Sequence, residues 1–401
     1  MDYSKILSSC VQELKPSGIR RFFDMASQIE GVISLGVGEP DFKTPYAIRR
    51  AGMDSLEKGQ TWYTANAGLK ELRQECSKYL FRRFGLKYDG LKEMLITVGG
   101  SEAIDLCIRS VINPGDEVLI PEPCFVAYDP ITRLAGGVPV PIVTKAEDSF
   151  RLTPEALAAA ITPRTKMLVF PFPNNPTGAV MRREHLEAIA DVLRDKDIVV
   201  LSDEIYAELT YEDRHVSIAS IPGMRERTVV VNGFSKAYAM TGWRLGYAAG
   251  PREIIAQMTK VHQFAIMCAP TTSQYAAIEA MRSCDDEIGR MAVQFGMRRG
   301  LLVNSLNKMG LTCADPQGAF YVFPSIRRTG MTSEEFCEGL LLSQKVAVVP
   351  GDAFGRSGEG HVRISYSYSV NHLIEALRRI QKYLEELGIA NPEAEELLRQ
   401  A

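Results

Sequence analysis

One lysine stands where an amine could do covalent chemistry. Lys236 follows the apolar run TVVVN (228–232) after only three residues, inside the segment VNGFSKAYAMTGWRLGY (231–247). The run is typical of a buried strand, so we expect Lys236 in a loop beyond the carboxyl end of a sheet, where ligands of open α/β sheets bind. Its apolar neighbours are Phe234, Tyr238, Met240 and Trp243. They should desolvate the amine, lower its pKa and prepare it for Schiff-base chemistry, although most lysines near strand ends are simply solvated.

Three other segments place polar groups just after candidate strands. FPFPNNPTG (170–178) presents Asn175 and SDEIY (202–206) presents Asp203 and Tyr206. GGSEA (99–103) sets Gly100 and Ser101 at the start of a helix, where free backbone N–H groups are a natural seat for a phosphate. Singly, each has an ordinary explanation as a turn, a helix cap or a tight connection. Together with Lys236 they favour one shared site, with Arg244 near enough to pair with an anion.

The strands that would position these residues are continuous apolar runs. They are MLITV (94–98), EVLI (117–120), KMLVF (166–170), DIVVLS (197–202) and TVVVN (228–232). Such runs are typical of strands buried on both faces of a mainly parallel sheet. Helical patterns lie between them, as in EHLEAIADVLR (184–194), whose apolar stripe is Leu186, Ile189, Ala190 and Leu193. The alternation predicts an α/β fold, a mainly parallel sheet layered by helices.

The last third of the chain has a different pattern. One long helix is predicted over about 285–310, and strands over AFYVFP (319–324) and HVRISYS (361–367). An amphipathic helix is predicted over 369–387, with Asn371 as its cap and Gly388 just past its end. We therefore expect a large domain over 46–284 and a smaller α+β domain over 285–401, which the N-terminal segment 1–45 joins.

The composition excludes several classes of function. Hydrophobic residues make up 46% and charged residues 24%, as in ordinary globular proteins. A net charge of −3 argues against a nucleic-acid partner, and no run approaches the ~20 apolar residues that cross a bilayer. We expect no signal peptide, no membrane partner and no metal site. The eight cysteines form no CxxC pair, which predicts free thiols in a reducing compartment and hence a cytoplasmic protein.

Taken together, the motifs resemble a known family. NPTG, SDEIY, SK followed by TGWRLGY, and the late VRIS are similar to the class I/II aminotransferases, which have PLP fold type I and carry pyridoxal 5'-phosphate. The resemblance runs from about Ser17 to the last helix. GEPDFKTP (38–45) and YTANAGLKELR (63–73) are similar to the branch that uses aspartate, alanine or aromatic amino acids. The family resemblance implies a homodimer with shared active sites. It also implies ping-pong transfer of an amino group from an L-amino acid to a 2-oxo acid such as 2-oxoglutarate.

The resemblance further implies roles around the cofactor ring. Lys236 would form the Schiff base and then move a proton between the substrate α-carbon and the cofactor C4′. Asp203 would pair with the protonated pyridine nitrogen, and Asn175 and Tyr206 would hydrogen-bond the phenolic oxygen. Phe125, in PEPCFVAY, would stack on the ring face, although an ordinary core aromatic explains it nearly as well.

Other residues are implied in binding the phosphate and the substrate. The phosphate would be held by Gly100, Ser101, Ser235 and Arg244, with Tyr63 reaching it from the neighbouring subunit. Arg363 would bind the substrate α-carboxylate as a bidentate fork, with Gly38 and Asn175 beside the substrate.

Two departures from the family pattern bear on function. Many relatives have a serine where this chain has Gly233, so we expect Ser235 to supply the missing hydroxyl. Some dicarboxylate-specific relatives have a lysine at the position of Ser101, so a neutral or aromatic donor is favoured over aspartate. Arg20 or Arg21 could supply the missing cation and admit aspartate equally well.

Two alternatives remain open. PLP-dependent C–S β-lyases use the same fold and nearly the same residues, and the substrate pocket decides between the two activities. A non-catalytic regulatory PLP-binding protein would carry an added DNA-binding domain, for which we expect no room before Ser17. The complete set of Lys236, Asp203, Tyr206 and Arg363 also favours catalysis.

Overall fold

The computed structural model describes residues 1–15, 18 and 25–389 of the chain, and its strands form three sheets. In chain order the strands are β1 (Ile33–Ser34), β2 (Met94–Thr97), β3 (Glu117–Glu122), β4 (Val138–Val143), β5 (Thr165–Phe170), β6 (Val199–Asp203), β7 (Thr228–Gly233), β8 (Gly246–Ala249), β9 (Tyr321–Val322), β10 (Val346–Ala347), β11 (Val349–Pro350) and β12 (Val362–Ser365).

The α-helices of the described residues pack on and between these sheets. In chain order they are α1 (Ser9–Glu13), α2 (Tyr46–Glu57), α3 (Lys70–Phe84), α4 (Gly99–Val111), α5 (Tyr128–Leu134), α6 (Pro154–Ala160), α7 (Arg183–Leu193), α8 (Arg252–Ala265), α9 (Thr271–Ser283), α10 (Asp285–Lys308), α11 (Ser333–Gln344) and α12 (Val370–Glu386). Within the described ranges, none of the helices is long and apolar enough to cross a membrane.

The central sheet has seven strands in the order β2-β8-β7-β6-β5-β3-β4. Six of them run parallel, and β8 alone is antiparallel to its neighbours β2 and β7. Helices cover both faces, so the inner strands are buried on both sides and have continuous apolar sequences. The α/β fold is therefore confirmed, and so is the buried stripe of Leu186, Ile189, Ala190 and Leu193 on α7.

Strand β8 was not predicted from the sequence. Its four residues GYAA carry no β-branched side chain, and it packs closely on the turn before α4. A Cβ on Gly246 would lie 2.6 Å from the carbonyl carbon of Gly99. Close backbone approach therefore explains the glycine at the first position of this strand.

Strand β4 at the far edge was also missed, because it contains two prolines. The Val138 N–H donates to the Asp116 carbonyl and the Thr144 N–H donates to the Glu122 carbonyl, each at 2.8 Å. The backbone N–H groups of even-numbered residues in β4 thus point toward β3. Pro139 and Pro141 fall at odd-numbered positions, on the free edge, where no N–H is needed.

The C-terminal part has its own small sheets. β11, β12 and β9 form an antiparallel sheet, and β1 of the N-terminal segment pairs in parallel with β10. The long helix predicted near 285–310 is confirmed as α10, and both predicted strands contain shorter ones, β9 and β12. The β1–β10 pairing joins the N-terminal segment to the C-terminal part. The division into a large domain over 46–284 and a small domain over 285–401 stays a prediction.

The last helix has a different N-terminal cap from the one predicted. The cap assigned to Asn371 is wrong: α12 starts at Val370, so Asn371 already lies within the first turn. The Ser369 hydroxyl accepts the His372 N–H instead, because a serine in extended conformation just before the helix can reach that free donor. Gly388, with φ of +75°, follows the helix end as predicted.

We predict that Ser369→Ala lowers the free energy of unfolding by about 1 kcal/mol, the usual cost of a lost N-terminal cap. The matched control is Asn371→Ala, which removes a side chain of similar chemistry two residues away and should change stability much less. Urea unfolding followed by circular dichroism measures both. Equal losses for the two variants would contradict the assignment of Ser369 as the cap.

Candidate active site

A cavity of about 780 Å³ opens at the carboxyl ends of the parallel strands. The predicted site residues that line it are Gly38, Gly100, Ser101, Phe125, Asn175, Asp203, Tyr206, Ser235, Lys236, Arg244 and Arg363. They come from loops after β2, β3, β5, β6 and β7, from the N-terminal segment and from β12. Parallel strands bring distant segments to one edge of a sheet, which explains why the site is assembled from so many parts of the chain.

Lys236 is the buried amine at the centre of this cavity. Its Nζ donates to the Gly38 carbonyl oxygen at 2.6 Å and lies 5.9 Å and 5.8 Å from the ring centroids of Tyr206 and Phe320. Burial lowers the pKa of Lys236 to about 8, an effect that the Glu39 carboxylate partly opposes. A substantial fraction of this amine is therefore neutral and nucleophilic near physiological pH.

The apolar surroundings of Lys236 differ from the prediction. Phe234, Tyr238 and Met240 pack with each other in a core cluster of the large sheet, and the Trp243 Nε1 donates to the Thr44 hydroxyl at 3.2 Å. The rings near the amine come instead from Tyr206 and from the C-terminal part of the chain. Sequence neighbours of Lys236 point away from it because they fill the interior on which its loop rests.

Asp203 is a buried carboxylate at the end of β6. It accepts hydrogen bonds from the Tyr128 hydroxyl at 2.7 Å and from the Ile205 N–H at 3.2 Å. Burial raises the pKa of Asp203, and the Tyr128 hydrogen bond partly counters this effect. A buried carboxylate of this kind is stabilised by a cation, so Asp203 fits the protonated ring nitrogen of pyridoxal phosphate.

The first turn of α4 and Arg244 form a seat for an anion. Gly99 has φ of +76°, and a Cβ there would lie 2.7 Å from the Arg244 Nη2, so only glycine allows this approach. The N–H groups of Gly100 and Ser101 belong to the first turn, where a helix has no carbonyl to pair them. With Ser235 also lining the cavity, the arrangement fits the phosphate of the cofactor.

At Gly233, where many relatives have a serine, the structure leaves little space for a side chain. A Cβ at Gly233 would come within 3.0 Å of the Gly246 Cα and 3.1 Å of the Leu245 carbonyl oxygen. Strands β7 and β8 thus approach each other closely at this point. The glycine pair closes the space that a serine side chain needs.

Arg363 of β12 is a buried guanidinium that faces the same cavity. Its Nη1 donates to the Asn175 Oδ1 at 2.9 Å and its Nη2 to the Gly36 carbonyl at 2.5 Å. Its Nε is buried and has no hydrogen-bond partner among the described residues. The rings of Tyr321 and Phe354 lie 4.5 Å and 4.8 Å from the guanidinium carbon. A desolvated cation held by neutral groups is suited to a carboxylate ligand.

Several residues of the cavity were not predicted, and three of them contribute polar side chains close to the predicted ones. Tyr128 follows Phe125 by three residues in PEPCFVAY, and its proximity to a named candidate was the one available signal. The Tyr321 hydroxyl lies 2.8 Å from the Tyr206 hydroxyl and against Gly38, where a Cβ would lie 2.5 Å away. Glu39 accepts from the Thr241 hydroxyl at 3.2 Å. Nothing in the sequence spacing indicates these last two contacts, which join distant parts of the chain.

Tyr63 is the one predicted site residue that lies outside the cavity of its own chain. It is 77% exposed. Arg20 and Arg21 lie outside the described residues. In the part of the chain that the structure describes, no group of three or more His, Cys, Asp or Glu side chains could hold a metal ion.

Comparison with known proteins identifies the family. Residues 30–380 match the aminotransferase class I and II family. The chain is 54% identical to a putative aminotransferase, YugH, of Bacillus subtilis over 94% of this chain and 98% of that protein. It is 45% identical to an aspartate aminotransferase of Pyrococcus abyssi, with 95% and 98% covered. The crystal structure of an aromatic aminotransferase from Pyrococcus horikoshii superimposes with a TM-score of 0.88 at 44% identity, covering 92% of this chain and all of that one (100%).

These matches extend over nearly the whole chain, and the proteins named in them are aminotransferases. They favour amino-group transfer over the β-lyase and regulatory alternatives. The chain belongs to the class I and II aminotransferases, and it is a pyridoxal-phosphate enzyme that transfers amino groups between amino acids and 2-oxo acids.

Proposed function

We propose that this aminotransferase acts on neutral and aromatic L-amino acids, with 2-oxoglutarate as the acceptor. The observation that carries the donor preference is the set of cations in the cavity. Of the described residues that line it, the lysines and arginines are Lys236, Arg244 and Arg363. Each has a task at the amine, the phosphate or the α-carboxylate, so none of the described cations is left for a carboxylate in the donor side chain. The second carboxylate of 2-oxoglutarate would be received by neutral hydrogen-bond donors or by Arg20 or Arg21, which lie outside the described residues.

We further propose the following roles for the residues that line the cavity. When bound, pyridoxal phosphate supplies an electron-withdrawing ring that stabilises the charge left when the substrate α-carbon loses its proton. Lys236 holds the cofactor covalently and then takes and returns that proton. Asp203 keeps a proton on the ring nitrogen, and Tyr206 and Asn175 bind the phenolic oxygen. Arg363 binds the substrate α-carboxylate, with Gly38 beside it and Phe125 against the ring.

The shifted pKa of Lys236 predicts how cofactor attachment depends on pH. Only the neutral amine attacks an aldehyde, and its pKa is lowered from 10.5 to about 8. The rate of attachment to the apoenzyme should therefore rise with pH and level off above about 8. In Glu39→Gln the midpoint should move to lower pH, because the Glu39 carboxylate raises the pKa of Lys236.

Stopped-flow absorbance at a series of pH values measures these midpoints. Borohydride reduction followed by peptide mapping should place the pyridoxyl label on Lys236, and Lys236→Ala should abolish transamination. A midpoint near 10.5 would show that the pKa of Lys236 is not lowered, and a label on another lysine would show that Lys236 is not the attachment site.

We propose that the protein is a homodimer with shared active sites. A large exposed apolar surface supports this proposal, since patches of this kind mark association surfaces. Segment 61–66 contacts segment 266–271 through the Asn66 side chain and the Met267 carbonyl, and α2 packs on α9 beside it. The exposed apolar residues of this surface are Tyr46, Met53, Leu56, Trp62, Tyr63, Phe264, Ile266 and Met267.

A complementation experiment tests whether Tyr63 acts in the partner's site. Tyr63→Ala alone should bind the cofactor weakly, and Lys236→Ala alone should be inactive. In a mixed dimer, the site that keeps Lys236 receives an intact Tyr63 from the other chain. Mixing the two variants at limiting pyridoxal phosphate should therefore restore activity above that of either homodimer. A mixture no more active than Tyr63→Ala by itself would contradict sharing.

We also propose a cytoplasmic location, which the cysteines support. All eight are free, and six of them are buried. Burial raises the pKa of the Cys107 and Cys313 thiols to about 12, which keeps them protonated and unreactive. Unpaired thiols are typical of proteins that work in a reducing compartment.

The donor preference follows from the cost of an unpaired buried carboxylate. We predict that kcat/KM at fixed 2-oxoglutarate is higher for phenylalanine or alanine than for aspartate. Ser101→Lys should raise kcat/KM for aspartate selectively, because it adds a cation to the cavity wall. A wild-type preference for aspartate over both others of more than about tenfold, or ~1.4 kcal/mol of transition-state binding, would show the proposal to be wrong.

A further inference from the structure

A buried hydrogen-bonded pair lies next to the phosphate seat. The His262 Nδ1 and the Glu102 Oε1 are 2.7 Å apart. The His262 side chain is fully buried, and that of Glu102 is 12% exposed. Glu102 follows Ser101 in the first turn of α4, and His262 lies near the end of α8. None of the proposed catalytic steps uses either residue.

Glu102 shapes the turn from which the phosphate-binding N–H groups project. Its second carboxylate oxygen, Oε2, accepts the Val98 N–H at 2.5 Å. Val98 is the residue that leads into α4, and the Thr97 hydroxyl donates to the Gly99 carbonyl at 2.9 Å. The turn is thus fixed at two backbone groups. Glu102 can point its carboxylate at Val98 only while its other oxygen is held in place.

His262 supplies that hold from a neighbouring helix. Its Nε2 is buried without a hydrogen-bond partner among the described residues, so a proton on Nδ1, donated to Glu102, satisfies the one donor of the ring. Its backbone carbonyl accepts the N–H groups of Ile266 and Met267 at 2.9 Å and 3.1 Å and so ends the helix. The side chain of His262 therefore links α8 to α4, and its main chain fixes segment 264–267 at the end of α8.

Segment 264–267 continues to the surface on which Tyr63 lies. After His262 the chain exposes Phe264, whose side chain is 87% accessible. The Asn66 Nδ2 then donates to the Met267 carbonyl at 2.9 Å, three residues from Tyr63. An unbroken series of contacts runs from the phosphate seat through Glu102, His262 and Met267 to Asn66.

We propose that Glu102 and His262 are a positioning pair for the cofactor phosphate. The pair holds the turn of residues 98–101 in the conformation that offers its N–H groups to the phosphate, and it anchors that turn to segment 264–267. This role rests on the proposed function, because it assigns the anion seat to pyridoxal phosphate. Neither residue lines the cavity, so the pair acts on phosphate binding and not on proton transfer.

The test compares pyridoxal phosphate with pyridoxal, which has the same ring and aldehyde without the phosphate. His262→Leu removes the donor and leaves the Glu102 carboxylate unpaired. His262→Gln keeps an N–H donor that can reach Glu102 and serves as the rescue variant. Met258→Leu, on the same helix and equally buried, is the control for altered packing alone. Equilibrium binding of both aldehydes to each full-length apoenzyme is followed by absorbance.

We expect His262→Leu to weaken binding of pyridoxal phosphate by about tenfold or more while changing that of pyridoxal by less than about threefold. His262→Gln and Met258→Leu should stay within about threefold of the wild type for both aldehydes. At saturating cofactor, the kcat of His262→Leu should remain close to that of the wild type. If His262→Leu does not fold, His262→Phe takes its place, since it keeps a ring without an N–H donor.

Parallel losses for the two aldehydes would overturn the proposal, because they would show a general loss of structure. Unchanged affinity in His262→Leu would overturn it as well, and so would a phosphate-specific loss in His262→Gln equal to that in His262→Leu. A wild-type protein that binds neither aldehyde through Lys236 would instead contradict the proposed function itself. The two failures are therefore distinguishable.

Discussion

The desolvated amine of Lys236 is the constraint on which the rest of the site depends. An ammonium group buried among rings is unfavourable, so the group needs acceptors close by. The Gly38 carbonyl provides one at 2.6 Å, and Glu39 adds a carboxylate nearby. Both belong to the N-terminal segment, which is held at the cavity by the β1–β10 pairing and by the hydrogen bond that the Ser367 hydroxyl donates to the Glu39 carbonyl. The chemistry of the central lysine thus requires both ends of the chain to be folded onto the large sheet.

The cavity keeps buried charges apart and satisfies each with neutral groups. Asp203 is held by Tyr128, and Arg363 by Asn175 and the Gly36 carbonyl. Neither takes the other as a salt-bridge partner, although both line the same space. Each charge is therefore hydrogen-bonded but not neutralised, a state that favours binding of complementary charges on cofactor and substrate. Pre-arranged groups of this kind cost nothing to reorganise when the ligand arrives.

How much the sequence could predict depended on whether a feature is local. The central strands and Lys236, Asp203 and Asn175 at their ends follow from apolar runs and from the residues after them, and the cavity contains all three. Contacts between distant segments gave no such signal. Tyr321 contacts Gly38 although most of the chain lies between them, and β8 begins with Gly246 because the backbone of Gly99 and Gly100 approaches it closely. Even a local feature can mislead: Asn371 and Ser369 are both good caps by composition, and only the backbone decides between them.

The prolines of β4 have a consequence for how chains can associate. Pro139 and Pro141 remove hydrogen-bond donors from the free edge of the sheet, so another strand cannot be added there. At the opposite edge the Ile96 N–H of β2 already donates to the Ala67 carbonyl of its own chain. Neither border of the central sheet therefore offers a template for edge-to-edge growth, which protects the protein from aggregation through its strands. The proposed homodimer would therefore have to form through side chains on helices and loops, whose shapes can be specific for one partner.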